Sequence, residues 1–188
     1  ECNLGNFIAD AMVDWNAQNF NGTVGWTDAA IALIDGDSIN ASIGQLDIAA
    51  ITSVQVNQIL EGSKIVAVEV TGQQLLLALE HAVAKFQPGT KEDYEEFLQN
   101  SGLYVEYDMS KPANERVIGV QITCADCTTP EILDIETSRT YRLLMPEDLA
   151  DGDHDFTMFE GKTVKDLGVT DKEVFTAYLA KKSPIYPA

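Results

Sequence analysis

A layered α+β fold, a single domain over residues 1–188, is what this sequence predicts, on three observations. Amphipathic helical spacing occurs near the start, in the middle and near the end of the chain, short apolar strand-like runs lie between, and the two do not alternate strictly. Strict alternation would mark a doubly wound parallel sheet, whereas mixed order favours helices and mixed strands packed in layers. At 188 residues and 45% hydrophobic content the chain can bury one sizeable core.

Leu4, Phe7, Ile8, Ala11, Met12 and Trp15 recur on one helical face, which predicts a helix over about 4–18 packed against a sheet. Residues 16–25, rich in Asn and Gly, read as a surface loop, followed by the buried strand 29–34 and an abrupt end at Asp35-Gly36-Asp37-Ser38. The run 65–70 is a second strand, Thr71-Gly72 a turn with an N-cap option, and 73–85 a helix burying Leu75, Leu76, Leu79, Ala82, Val83 and Phe86. Residues 87–100 are polar and charged with a Pro-Gly pair and read as a mobile loop or peripheral helix. Strands are expected at 103–107, 117–122 and 141–145, the first two bracketing a turn at Lys111-Pro112-Ala113-Asn114. Val174, Phe175, Tyr178 and Leu179 mark a last helix. Trp15, Trp26, Tyr104 and Tyr107 are expected to pack in the core rather than line an apolar-ligand pocket.

The formal net charge of −18 opposes binding to phosphate backbones and anionic membrane surfaces, so nucleic acid is not an expected partner. Apolar runs such as 29–34 and 75–79 fall far short of the roughly 20 residues that span a bilayer. Cys124-Ala125-Asp126-Cys127 fits a redox pair, half a zinc site or a small structural disulfide. No second Cys-x-x-Cys or spaced His pair completes a tetrahedral zinc site, so the disulfide is expected and Cys2 is left over, to pair with a missing or separate chain. Asn21-Gly22-Thr23 and Asn40-Ala41-Ser42 are glycosylation sequons, in keeping with a secreted eukaryotic chain. Glu1 follows no recognisable leader and reads as a processed terminus or a cut boundary.

The opening run from Glu1 to Ala11, Glu-Cys-Asn-Leu-Gly-Asn-Phe-Ile-Ala-Asp-Ala, resembles the start of the C-terminal, nucleoside-binding domain of the 5′-nucleotidase family. Leu79-Glu80-His81-Ala82-Val83, Glu96-Phe97-Leu98-Gln99, the Cys-x-x-Cys, Leu144-Met145-Pro146 and Ile185-Tyr186-Pro187-Ala188 follow as family landmarks in the expected order. The resemblance implies a layered mixed-sheet fold and a two-domain secreted enzyme. Its other domain, which none of these residues match, holds two metal ions and a catalytic His-Asp pair. In animal members the cysteine matching Cys2 pairs a few residues upstream, which leaves Cys2 here to a removed segment or a separate chain, as in a dimer or heterodimer.

The same resemblance implies a nucleoside pocket with two stacking Phe rings, a ribose-binding Asp and a substrate-facing Arg. Each of these positions departs from the pattern. The family's Asn-Gly-Gly-Gly-Ile-Arg loop is matched by Asp35-Gly36-Asp37-Ser38-Ile39-Asn40, which puts Asp35 for Asn and Asn40 for Arg. One stacking Phe falls on Glu61 and the other on Asp148, and the ribose-binding Asp falls on His154. A carboxylate offers no aromatic face.

If the family fold holds, Asp35, Asp37, Glu61, Glu147, Asp148, Asp151, Asp153, His154 and Asp155 crowd one rim. Clustered carboxylates repel unless their pKa values rise or a cation neutralises them. Asp151, Asp153, His154 and Asp155 are accordingly candidate ligands for a divalent cation, calcium foremost, although Asp151–Asp155 lacks the spacing of a twelve-residue calcium loop. His81, beside core positions, is expected to be structural. The expected function is a secreted, non-catalytic member binding a small molecule or partner other than a purine nucleotide. The alternative is the substrate-binding half of a working nucleotidase, a nucleotide phosphohydrolase.

Overall fold

In the computed structural model, residues 2–42, 51–87, 89 and 95–184 are described, so the landmark 185–188 and most of 88–94 lie outside the described residues. The chain starts with helix α1 (Asn3–Asn19), whose N-terminus is capped by the Cys2 sulfur accepting the Gly5 N–H at 3.3 Å. Strand β1 (Ile31–Ile34) follows, then a short helix α2 (Ser53–Ile59), strand β2 (Lys64–Thr71) and helix α3 (Gly72–Ala82). Strands β3 (Gln99–Ser101), β4 (Leu103–Tyr107), β5 (Val117–Ile122), β6 (Glu131–Ile132) and β7 (Thr140–Pro146) come next. A single turn of helix α4 (Glu147–Ala150), two 3-10 turns, strand β8 (Thr163–Thr170) and helix α5 (Asp171–Lys182) complete it.

Five strands form a mixed sheet in the order β3-β1-β7-β2-β8, with β1 and β7 parallel and the other pairs antiparallel, and β4-β5-β6 form a second sheet. The large sheet is covered on both faces, which is why β1 is an unbroken apolar run. Ile31 and Leu33 face a core with Val66, Val68, Leu75, Leu79, Val120, Ile122, Phe156 and Phe159, beneath α3 and the small sheet. Ala32 and Ile34 face the opposite core with Ile8, Met12, Ile59, Ala67, Leu144 and Phe175, beneath α1, α2 and α5. This is the layered, mixed-sheet α+β arrangement that the sequence predicts.

Three sequence expectations are corrected. The end of the polar segment 87–100 is not loop: Leu98, Gln99 and Asn100 are buried, and Gln99 and Asn100 pair with β1 as an edge strand. Their polar groups are satisfied by α1, Gln99 Oε1 accepting the Cys2 N–H at 2.6 Å and Asn6 Oδ1 accepting the Asn100 N–H at 3.1 Å. Tertiary pairing overrides composition there. Helix α3 stops at Ala82 rather than running to residue 85: Val83 leaves helical geometry at φ -117 and ψ 4, and the Arg116 guanidinium caps the Val83 and Ala84 carbonyls. Finally, Trp26 and Tyr104 are 47% and 67% exposed, so of the four aromatic residues expected in the core only Trp15 and Tyr107 are even half-buried. No helix among the described residues is long and apolar enough to cross a membrane.

Candidate functional site

At the ends of β1 and β7 four segments converge on a cavity of about 80 Å³ lined by Asp35, Asp37, Ser38, Glu61, Ser63, Asp148, Leu149, Asp153, His154 and Asp171. The convergence follows from topology. β1 and β7 are parallel neighbours, so their C-terminal ends deliver Asp35 and α4 to the same edge. The antiparallel neighbour β2 brings Glu61 and Ser63 there from its start, and the end of β8 brings Asp171. Crevices at the carboxyl ends of parallel strands are where ligands bind in open sheets.

Phe156, fully buried against Phe159 and edge-on to His81 at 4.7 Å, anchors the loop that carries His154. Gly152 sits at φ 99, and His154 and Asp155 also lie in the left-handed region. The His154 carbonyl accepts a hydrogen bond from His81 Nε2 at 2.7 Å, which fixes the tautomer of His81 and gives it the structural role expected of it. His154 then reaches across to the β1 loop, its Nε2 donating to Asp37 Oδ2 at 3.1 Å and lying 3.7 Å from Asp35 Oδ2.

The electrostatics are those of an under-neutralised site. Burial pushes the Asp35 carboxyl above its ordinary range, against the Ser38 hydroxyl that donates to it and the nearby His154, with Asp37 adding to the rise. Partial burial pulls the His154 imidazolium down, but the hydrogen bond to Asp37 and the charges of Asp35, Asp37 and Glu96 outweigh it and hold its pKa above the ordinary value. Burial also raises Asp171, opposed by the Lys172, Ser63 and Gly62 backbone amides and by the charge of Lys172. Ser63 donates to Asp148 Oδ2 at 2.8 Å, and Asn40 Nδ2 to Glu61 Oε1 at 3.3 Å at the rim. No Lys or Arg lines the cavity among the described residues. Nearby cations are engaged outside it, Lys64 with Glu147 and Lys85 with Glu96.

The structure thus brings together Asp35, Asp37, Glu61, Asp148, Asp153 and His154, but not every acid expected at the rim. Glu147 turns to Lys64, and Asp151 and Asp155 do not line the cavity. The set whose ligand atoms come within 4.8 Å of one another is Asp35, Asp37 and His154, rather than the run 151–155. Asp171 was not anticipated. Its signal is the capping box Thr170-x-x-Glu173, which starts α5 and places Asp171 at the helix's first turn, 2% exposed and facing the cavity. Elsewhere Cys124 and Cys127 form the expected disulfide, and Cys2 keeps an exposed free thiol. Asn21 and Asn40 are both exposed.

Fold and site together define an α+β domain with an acidic cavity where the parallel pair β1 and β7 ends in a mixed sheet. The family model for the 5′-nucleotidase C-terminal domain matches residues 1–161, and the chain belongs to that family. It is 34% identical over its whole length to Protein 5NUC of Lutzomyia longipalpis and 32% identical to a 5′-nucleotidase of Diplobatis ommata, covering 33% and 32% of those proteins. A snake venom 5′-nucleotidase of Naja atra is 30% identical. The crystal structure of a 5′-nucleotidase precursor from Thermus thermophilus superposes with a TM-score of 0.81 at 32% identity, over all of this chain and 34% of that one. The chain therefore spans about a third of the length of these relatives.

Proposed function

We propose that this chain is a secreted domain of 5′-nucleotidase type that acts as a non-catalytic binding module, with a pocket for a cationic ligand, a divalent cation or an amine, in place of a purine nucleotide. The observation that carries this reading is the cavity lining: six acidic residues, one histidine, and no Phe, Tyr or Trp among the described residues. A nucleotide needs an aromatic or apolar face for its base and positive charge for its phosphate, and this lining supplies neither. Asn40, where the family resemblance places an Arg, supplies no positive charge and is engaged with Glu61.

A cation lowers the mutual repulsion of Asp35, Asp37 and Asp153 and competes with the His154 proton. Two carboxylates and one imidazole within 4.8 Å offer hard oxygen donors plus one nitrogen, a donor set that also accepts zinc. Support for a non-catalytic role comes from the hydroxyls: Ser38 donates to Asp35 and Ser63 to Asp148, so neither serine donates to His154 among the described residues. Secretion draws support from the Cys124–Cys127 disulfide, which persists in oxidising compartments, and from the venom relative.

The second reading, the substrate-binding third of a 5′-nucleotidase, is favoured by the relatives' names and by the fraction of their length that this chain covers. Thermal unfolding separates the two. Millimolar calcium, magnesium or zinc should raise the melting temperature while adenosine and AMP leave it unchanged; a clear rise with micromolar adenosine or AMP supports the nucleotidase reading instead.

A further inference from the structure

The cavity leaves one exposed motif unused, the sequon Asn21-Gly22-Thr23 between α1 and β1. Asn21, Gly22 and Thr23 are all exposed and lie in a segment with neither helix nor strand, so a bulky group there breaks no ladder. Among the described residues no side-chain hydrogen bond engages the Asn21 carboxamide or the Thr23 hydroxyl. The loop is held at both ends. A Cβ on Gly22 would meet the Phe20 ring, and the Trp26 N–H donates to the Ala125 carbonyl at 3.2 Å, beside the Cys124–Cys127 bridge.

A second, independent observation lies immediately after the sequon. Val24 and Trp26 are 71% and 47% exposed, large apolar side chains on a chain of net charge −18. Covering exposed apolar side chains is favourable in proportion to the area removed from water. A sugar ring has an apolar C–H face that packs on an indole, and its hydroxyls keep the covered surface wet.

We propose that Asn21 carries an N-linked oligosaccharide that covers the Val24 and Trp26 surface. This inference rests on the secreted reading above, because the donor, an isoprenoid-pyrophosphate-linked oligosaccharide, is met on entry to the secretory route. Asn21 Nδ2 attacks C1 of the first sugar, the N–C1 bond forms, and the C1–O bond to pyrophosphate breaks. The lipid pyrophosphate leaves with that bonding pair, and the carboxamide loses one proton to the transferase's base.

The test expresses all 188 residues behind a signal peptide in an animal-cell host and reads the chain recovered from the medium. Amidase release of glycans in heavy-oxygen water should convert Asn21 to labelled aspartate. Asn21→Gln and Thr23→Ala should each lose one glycan mass step from the intact protein and bind more of an apolar dye. Thr23→Ala leaves the asparagine in place and serves where Asn21→Gln fails to fold. A chain in the medium with Asn21 unmodified overturns this inference alone, and unchanged dye binding after deglycosylation overturns the cover. A folded chain that never reaches the medium overturns the secreted reading and the glycan with it.

Discussion

Two acidic clusters flank the same sheet, and they are built in opposite ways. Where the chain enters β1, Asp28 is met by Arg142 Nη1 at 3.1 Å and Lys165 at 3.8 Å, and Arg142 Nη2 reaches Glu69 at 3.3 Å. Asn16, itself buried, donates to Asp28 at 2.8 Å, and despite partial burial these partners hold the Asp28 carboxyl below its ordinary range. Where β1 ends, Asp35 and Asp171 are pushed above that range by burial, which His154 beside Asp35 and Lys172 beside Asp171 oppose without overcoming. The first cluster carries its own cations, whereas no Lys or Arg lines the second among the described residues. A lone set of acids says little, but the contrast within one sheet is the ground on which the proposed cation pocket rests.

The comparison breaks most completely if the pocket loses its anchor. Phe156 is fully buried and holds the His154 loop, so Phe156→Ala should destabilise by about 3–5 kcal/mol in chemical denaturation. It should also abolish any cation-induced stabilisation, while a variant of the Asp28 cluster keeps it. Removing the guanidinium at the other cluster, Arg142→Met, leaves Asp28 and Glu69 short of a partner and should cost about 1–2 kcal/mol. Asp35→Asn should do the reverse. It removes a buried charge that lacks a full counter-charge, and stability should stay within about 1 kcal/mol of the parent, on the stabilising side.

The smallest effect is the sign of the pH dependence. His154 has a folded pKa above its unfolded value, so its contribution is complete below about pH 6.5 and is lost as pH rises through the raised value. Asp35, also raised, contributes in the same direction at lower pH. Asp28, lowered, contributes above about pH 4 and loses it on acidification. Melting temperature should therefore decline from pH 6 upward in the parent, and His154→Gln should flatten that decline while leaving the acid limb unchanged.

Much of this was readable from the residues. Periodicity placed α1, β2, α3 and the β4–β5 hairpin within a few residues, because each buries a regular face. It missed β3 and β8. β3 is a polar edge whose burial comes only from α1, and β8 has mostly exposed residues, register shifts against β2 and Gly168 at φ 70. Helix α2 was also passed over, although Thr52-x-x-Gln55 is a capping box readable in the sequence. At the site, the family resemblance named Asp35, Asp37, Glu61, Asp148 and His154, and all five line one cavity. Proximity in sequence misdirected the rest. Residues 151–155 share a tight left-handed loop, which points neighbours in different directions, so only Asp153 and His154 of that run reach the cavity.

The most direct test of the cation pocket is calorimetric titration of the chain, at neutral pH, with calcium, magnesium and zinc, and separately with adenosine. At least one metal should bind with a stoichiometry of one and lose its heat in the double variant Asp35→Asn, Asp37→Asn, while adenosine gives none. Adenosine binding to the parent, or metal heat that survives the double variant, would contradict the account.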